Sequence, residues 1–359
     1  MSTASTVAQP ARHSPQVVTA LRRFAISITV LNVLGYTVLG FEQPWTWPFV
    51  ALFTAYTTEL VLEVVAARTE RRRLRFLGGG ARGFMEFLLP AHITGLAMNM
   101  LIYVNDLVWG LVFGVIVAIG AKWVLRAPVH GKLRHFMNPS NLGITVILLV
   151  FPWASIAPPY QFTENIDGGL DWALPALIIV LGTMLNAKLT GRMWLVMAWI
   201  GGFAAQAVIR GVLFGTAIPS ALAIMTGVAF ILFSNYMISD PGTTPSSKIG
   251  QIAFGGGTAA LYGLITGLGI AYGIFFATAI ACLIRGAYLW VADGAERLRA
   301  ARQPEPSTED RAERDPLAKE PETGGEGDTC QGGCVGTCVC PEPAGPNGHG
   351  SRPSEVVPL

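Results

Sequence analysis

The chain has 359 residues, of which 52% are hydrophobic and only 13% are charged. Soluble domains carry about 25% charged residues, so this composition excludes an ordinary soluble protein and indicates an integral membrane protein. The formal net charge of +2 at pH 7 is too small to indicate nucleic-acid binding.

Apolar stretches dominate the chain up to about residue 292. A bilayer core of about 30 Å needs roughly 20 apolar residues per helix, and this measure predicts an all-α, polytopic membrane protein with about ten transmembrane helices. Residues 1–23 lack a signal-peptide cleavage pattern, so they form a cytoplasmic N-terminal segment, residues 24–292 the membrane domain and residues 293–359 a disordered cytoplasmic tail. The predicted spans are 24–41, 48–67, 84–103, 107–125, 142–157, 172–189, 193–213, 219–236, 251–269 and 271–292.

The loops between these spans alternate in charge. Lys and Arg in short loops remain on the cytoplasmic side, and here they occur only in the even-numbered loops. The pattern predicts a multi-pass protein of the cell membrane with both termini in the cytoplasm. The basic loop residues are Arg68, Arg71, Arg72, Arg73, Arg75, Arg82, Lys122, Arg126, Lys132, Arg134, Lys188, Arg192 and Lys248.

Polar residues inside the predicted spans are candidate functional groups, because ionisable side chains are costly in lipid. Glu59 and Glu63 are four residues apart, and His92 and Asn99 are seven apart, so each pair lies on one helix face. Two interpretations remain open: a proton or electron pathway, or hydrogen bonds that hold helices together.

Two cytoplasmic loops contain a polar residue directly before a proline. "HFMNPSNLG" contains Asn138–Pro139, and "SNYMISDPGTTPSSKIGQ" contains Asp240–Pro241. Proline disfavours helix at the residue before it, so a helix breaks at each position and leaves free backbone groups. Four spans separate the loops, which places them on the same side of the membrane, where they can form one site.

The broken helices suggest a binding site for a phosphate or a ring carbonyl, since helix N-termini offer free N–H donors. Transporters also build substrate sites from broken helices, so a permease is an alternative. The candidate ligand-binding residues are Asn138, Pro139, Asn141, Asp240, Thr243, Thr244 and Lys248.

Four of the five cysteines cluster in the tail as "CQGGCVGTCVC". Cys330, Cys334, Cys338 and Cys340 would be reduced in the cytoplasm, so a metal, an iron–sulfur centre or a redox switch is more plausible than a disulfide framework. The alternative is a disordered tail with reactive thiols. Cys282, in the last span, is predicted to be a packing residue.

The Asn-Pro motif "NPSNLG" and, about a hundred residues later, "YMISDPGTTPSSKIGQIAFGGGTAAL" resemble the RnfD/NqrB family of membrane redox subunits. The resemblance covers roughly residues 23–290 in span count and motif order. It implies about ten spans, a bound flavin and electron transfer to or from a soluble redox partner or a quinone. It carries over to Asn138, Pro139, Asp240, Pro241 and Thr243.

One motif of that family is missing. The Ser-Gly-Ala-Thr sequence through which some members attach flavin mononucleotide does not occur between the fifth and sixth spans, so the implied FMN or other flavin is expected to be non-covalent. The size and composition also resemble UnbU, the RnfD-like proteins of enediyne natural-product pathways. The resemblance therefore implies electron transfer in natural-product biosynthesis, and no catalytic residue is assigned. The alternatives are an exporter of a small apolar product and a scaffold that anchors biosynthetic enzymes.

Overall fold

The computed structural model describes residues 15–77, 79–129, 131–158 and 162–302, which are mostly helical. Short π-helical turns extend α1 to Leu39, α6 to Thr190 and α9 to Met237. The α-helices are α1 (Pro15–Leu34), α2 (Trp47–Thr69), α3 (Gly80–Leu101), α4 (Val108–Val124), α5 (Pro139–Val150), α6 (Gly169–Met184), α7 (Met193–Phe214), α8 (Ile218–Ala223), α9 (Val228–Leu232), α10 (Lys248–Gly267) and α11 (Gly273–Arg302).

Six helices of the described residues are long and apolar enough to cross a membrane. A seventh crossing results if α8 and α9, which are bent by 65° at Gly227, count as one broken span. Every predicted span overlaps a helix, but about ten full spans are not confirmed. The twelve residues of α5 extend only about 18 Å, well below the roughly 30 Å of a bilayer core.

The first and last helices extend past the predicted spans. Helix α1 begins at Pro15, within the predicted N-terminal segment, and Pro suits the first position of a helix because its fixed φ matches the helical value. Helix α11 continues to Arg302, ten residues into the predicted tail. Its extension "AERLRAAR" consists largely of strong helix formers, which explains the continuation.

Two short antiparallel ladders join the helices. Strand β1 (Ile102–Tyr103) pairs with β4 (Ser155–Ile156), which ties the C-terminal end of α3 to the chain after α5. Strands β2 (Arg126–Val129) and β3 (Lys132–His135) form a hairpin between α4 and α5. Gly131 has a φ of +73°, a value that glycine adopts without steric cost.

The contacts define two ends of the helix bundle. At one end Phe136 N donates to Leu125 O over 3.2 Å, between the end of α4 and the start of α5. There, too, Arg192, directly before α7, donates to Thr244, ahead of α10. We call this the basic end, because the Lys- and Arg-rich connections α2–α3, α4–α5 and α6–α7 lie there.

Seven of the nine tryptophans lie near the ends of helices, and an eighth, Trp290 within α11, bonds to Arg126 O beside the end of α4, as expected where aromatic rings sit at the two membrane–water interfaces. Trp123, Trp194 and Trp290 lie near the basic end. Five lie near the opposite end: Trp45, Trp47, Trp109, Trp153 and Trp172. With many exposed apolar side chains between the two ends, this distribution places the bundle in a lipid bilayer.

Glycine allows the closest helix contacts. A Cβ atom at Gly143 of α5 would lie 2.7 Å from Gly114 O of α4, and one at Gly255 of α10 would lie 2.5 Å from Leu195 O of α7. Small residues let helix backbones approach within a membrane, where apolar burial gives little drive for association. These contacts hold α5, which begins within the first proline-containing loop, and α10, which begins at the end of the second.

Candidate functional site

The two proline-containing loops meet at the basic end. Asn138 caps α5, since its Oδ1 accepts from Asn141 N at 3.0 Å, and Pro139 occupies the first helical position. The Asn138 Nδ2 donates to Met237 O, also at 3.0 Å. One buried side chain therefore starts α5 and fastens it to the chain segment that leads into Asp240.

We expect Asn138→Ala to lower the free energy of unfolding by about 2 kcal/mol, because it removes a helix cap and leaves the buried Met237 carbonyl without its donor. Ser247→Ala is the control, as Ser247 caps α10 at an exposed position, with Oγ accepting from Gly250 N at 3.2 Å. Chemical unfolding in mild detergent measures both variants. If both variants lose the same free energy of unfolding, the hydrogen bond from Asn138 to Met237 O contributes no stability beyond that of the helix cap.

Asp240 organises its own loop. Its Oδ1 accepts from Gly242 N, and its Oδ2 accepts from the Thr243 hydroxyl, each at 3.0 Å. The Thr244 hydroxyl donates to the Asp240 carbonyl at 2.6 Å. Each hydroxyl has one proton to donate, so in this structure Thr243 and Thr244 use theirs within the loop.

Arg192 is a buried cation beside this loop, and sequence reasoning treated it only as an orientation signal. Its side chain is 6% exposed, and it donates to the Thr244 hydroxyl (3.0 Å) and the Pro241 carbonyl (3.3 Å), both neutral groups. It also lies at the N-terminus of α7, where the helix dipole disfavours positive charge. Burial lowers the pKa of the Arg192 guanidinium, Asp240 opposes that shift, and the charge of Arg285 adds to it.

His135 completes this group of charges. A Cβ atom at Gly242 would lie 3.1 Å from His135 Nε2 and 3.4 Å from Asp240 Oδ1, so the imidazole and the carboxylate border the same glycine. We call His135, Arg192, Asp240 and Arg285 the Asp240 cluster. It has two arginines for one carboxylate, and α5, α7 and α10 all begin beside it, so its electrostatic potential is positive.

The stability of the protein is expected to fall as the pH drops below about 6.5, the ordinary pKa of histidine. Burial lowers the pKa of His135, with Lys122 and Arg126 acting in the same direction and Asp240 and Glu59 opposing. The unfolded chain, with a histidine pKa of about 6.5, therefore takes up its proton first as the pH falls, and the native state loses stability. Thermal unfolding at pH 7.5 and pH 5 measures this. His135→Gln should reduce the difference in unfolding midpoint between the two pH values. An unchanged difference would show that other titratable groups cause the loss of stability.

Two buried amide oxygens near these loops have no hydrogen-bond partner among the described residues: Asn141 Oδ1 and Gln251 Oε1. The nitrogens of the same amides are engaged, with Asn141 Nδ2 donating to Phe275 O at 3.1 Å and Gln251 Nε2 to Gly191 O at 3.0 Å. A buried acceptor without a donor costs free energy. A ligand with N–H or O–H groups would satisfy these oxygens.

Lys248 differs from the other candidate ligand-binding residues. It is exposed at the first position of α10, and its Nζ lies 5.8 Å from the centroid of the Trp194 ring. This cation–π contact lies on the surface, at the membrane boundary. Lys248 was predicted from the sequence to bind a ligand such as a phosphate. In the structure it instead contacts the Trp194 ring on the surface.

Glu59 and Glu63 are paired with cations. Lys122 Nζ lies 2.8 Å from Glu59 Oε2. Glu63, which is fully buried, accepts from both terminal nitrogens of Arg72 and from Arg75 N, the latter at 2.9 Å. These ion pairs tie α2 to α4 and to the loop after α2, which favours the structural interpretation of the two carboxylates.

His92 and Asn99 join α3 to its neighbours. His92 lies between two hydroxyls, Tyr56 OH at 2.6 Å from Nδ1 and Thr29 Oγ1 at 2.7 Å from Nε2. Thr29 gives its single proton to Ala25 O, so Nε2 carries the hydrogen of this pair.

Asn99 continues the same interface. Its Nδ2 lies 3.1 Å from Asn32 Oδ1 and 3.0 Å from Tyr36 OH, both on the α1 side. Together with the bonds of His92, these contacts are interhelical hydrogen bonds of the kind that hold membrane helices together.

Metal binding by the tail is not addressed by the structure, because Cys330, Cys334, Cys338 and Cys340 lie outside the described residues. Within the described ranges, no group of three or more His, Cys, Asp or Glu side chains is placed to hold a metal ion. Cys282 is buried in α11 and free of any disulfide.

Comparison with known protein families and with curated proteins finds no match.

Proposed function

We propose that this protein is a membrane electron-transfer subunit of the RnfD/NqrB type that holds a non-covalent flavin or a quinone at the Asp240 cluster. The observation that carries the proposal is the positively charged cluster around the buried Arg192, where the two proline-containing loops meet. A buried cation without a matched anion is costly. A ligand that gains negative charge would lower that cost.

Ring carbonyls gain negative charge on oxygen when their ring is reduced, and fixed positive groups stabilise that charge most strongly where water is excluded. Arg192 would stabilise such an oxygen, assisted by Arg285. Asn141 Oδ1 and Gln251 Oε1 would accept from ring N–H or hydroxyl groups. A site of this kind favours the reduced form of the ligand, as an electron acceptor requires.

The setting follows from the charge distribution and the resemblance. Under the positive-inside rule the basic end faces the cytoplasm, with both termini on that side of the cell membrane. In this arrangement α4, α5, α10 and the broken α8–α9 pair complete a ten-span bundle. A soluble redox partner would then reach the Asp240 cluster from the cytoplasm, in a natural-product pathway of the enediyne type.

The test is cofactor content after purification. Wild-type protein in mild detergent is expected to retain a flavin, seen by its visible absorbance, or a quinone, identified by mass spectrometry of an organic extract. Arg192→Gln should lower the retained amount at least ten-fold. Arg210→Gln is the matched control, because Arg210 lies near the C-terminal end of α7, opposite to the end that Arg192 precedes, and bonds to Gln206.

Size-exclusion chromatography establishes that both variants are folded. A wild-type preparation that contains neither cofactor, and that binds neither when it is added, would overturn the proposal. Equal cofactor retention by the two variants would show that the cofactor does not bind at the Asp240 cluster.

An exporter of a small apolar product is the second candidate, favoured by the 65° bend between α8 and α9. Transporters place substrate sites at such interrupted helices. Proteoliposomes that move an apolar reporter compound without any redox carrier would support this function. A requirement for an electron donor would support the first.

A further inference from the structure

Two arginines contact one tryptophan at the C-terminal end of α4. The Cζ of Arg126 lies 5.0 Å, and that of Arg75 5.7 Å, from the centroid of the Trp123 ring. Arg75 comes from the α2–α3 connection and Arg126 begins β2, so two separate parts of the chain bring their cations to the same indole. The charge of Arg75 acts unfavourably on that of Arg126, and an anion bound beside both would relieve this repulsion.

Neither arginine of this pair has a carboxylate to itself among the described residues. Arg75 Nε lies 3.7 Å from Glu63 Oε2, but that carboxylate is already bound by Arg72. Arg126 has no salt bridge to a carboxylate of the described residues, and its Nε donates to the neutral Lys122 carbonyl at 2.9 Å. Burial lowers the pKa of Arg126, the charges of Arg75 and Arg72 lower it further, and the more distant carboxylates Glu70 and Glu59 oppose the shift without a salt bridge to Arg126.

The pair lies at the lipid boundary. Val124, next to Trp123, is 80% exposed, and Leu77 and Leu133 are also exposed on the neighbouring connections. Trp290 Nε1 donates to the Arg126 carbonyl at 3.1 Å, which places a second interfacial tryptophan beside the arginines. An anion that reaches this position has apolar side chains around it, so it is expected to carry an apolar part of its own.

We propose that Arg75, Trp123 and Arg126 bind the headgroup phosphate of an anionic phospholipid. The phosphate would accept hydrogen bonds from the two guanidinium groups and offset part of their charge, and the acyl chains would lie against the exposed side chains of Leu77, Val124 and Leu133. This site is separate from the Asp240 cluster, and the inference does not depend on the proposed electron transfer.

Lipid selectivity tests the inference. Delipidated wild-type protein in detergent is titrated with dioleoyl phosphatidylglycerol, with dioleoyl phosphatidylcholine and with inorganic phosphate. Bound lipid is counted by native mass spectrometry, and the unfolding midpoint is followed in parallel. The expected result is half-saturation with phosphatidylglycerol at a concentration at least ten-fold lower than with phosphatidylcholine, and no comparable shift of the midpoint with phosphate.

The variant R75Q/R126Q should lose this preference. The control K132Q/R134Q removes the same charge from two exposed positions of β3 at the same end, and it should keep the preference for phosphatidylglycerol. Loss in both variants would assign the effect to diffuse charge and overturn the inference. So would an equal response of the wild type to both lipids, or the same midpoint shift with phosphate alone. If R75Q/R126Q does not fold, R126Q alone replaces it, and the wild-type comparison stands by itself.

Discussion

We expect Glu63→Gln to lower the free energy of unfolding by about 3 kcal/mol, because the change leaves a largely buried arginine without its main counter-charge. Glu63 is fully buried and accepts from both terminal nitrogens of Arg72, whose side chain is 14% exposed. Its hydrogen bond is also the largest cause that raises the pKa of Arg72. Thermal unfolding in mild detergent measures the loss as a lower midpoint.

Glu70→Gln is the matched control for this prediction. Glu70 bonds to the same arginine from the surface, with a side chain that is 51% exposed, and exposed ion pairs contribute at most about 1 kcal/mol. Added salt should weaken the contribution of Glu70 and leave that of Glu63 nearly unchanged. Similar losses in the two variants would contradict the view that burial makes Glu63 the stronger partner.

The positions of the helices could be predicted because the apolar stretches are long and separated by polar loops. Their lengths could not. Helix α5 is short because Asn138 and Pro139 begin it and the chain leaves the helix at Phe151, whereas the apolar stretch predicted from the sequence runs to residue 157. The β2–β3 hairpin was also missed, since "RAPVHGKLRH" is too polar to resemble a buried strand and has no clear alternation.

The sequence predicts that the two proline-containing loops lie on the same side of the membrane, because an even number of spans separates them, and the hydrogen bond from Asn138 to Met237 O shows that they meet. The roles of individual residues depend on three-dimensional contacts. Thr243 and Thr244 were expected to face a ligand but donate within the Asp240 loop. In the sequence, Arg192 cannot be distinguished from the other basic residues of the short cytoplasmic loops. Its burial becomes apparent only in the structure, where the Asp240 loop covers it.

The site also depends on a close contact between α7 and α10, which hold Arg192 and the end of the Asp240 loop in place. The two helices run parallel, with Gly255 facing Leu195 and Gly202 facing Ala259. At Gly255 the neighbouring atoms belong to the backbone, namely Leu195 O and Trp199 N. A backbone atom cannot move aside by changing a rotamer, so the contact admits only glycine.

Gly255→Val is therefore expected to lower the free energy of unfolding by at least about 3 kcal/mol, the upper part of the range for overpacked cores. A Cβ atom at this position would lie 2.5 Å from Leu195 O, so α10 must move away from α7. Gly257→Val is the control, because it has the same cost in helix propensity, and a Cβ atom there meets no atom within 4 Å. Separation of α10 from α7 would also move the loop that Arg192 bonds, so cofactor retention should fall with Gly255→Val and persist with Gly257→Val. Equal stability of the two variants would contradict the close packing of α7 and α10.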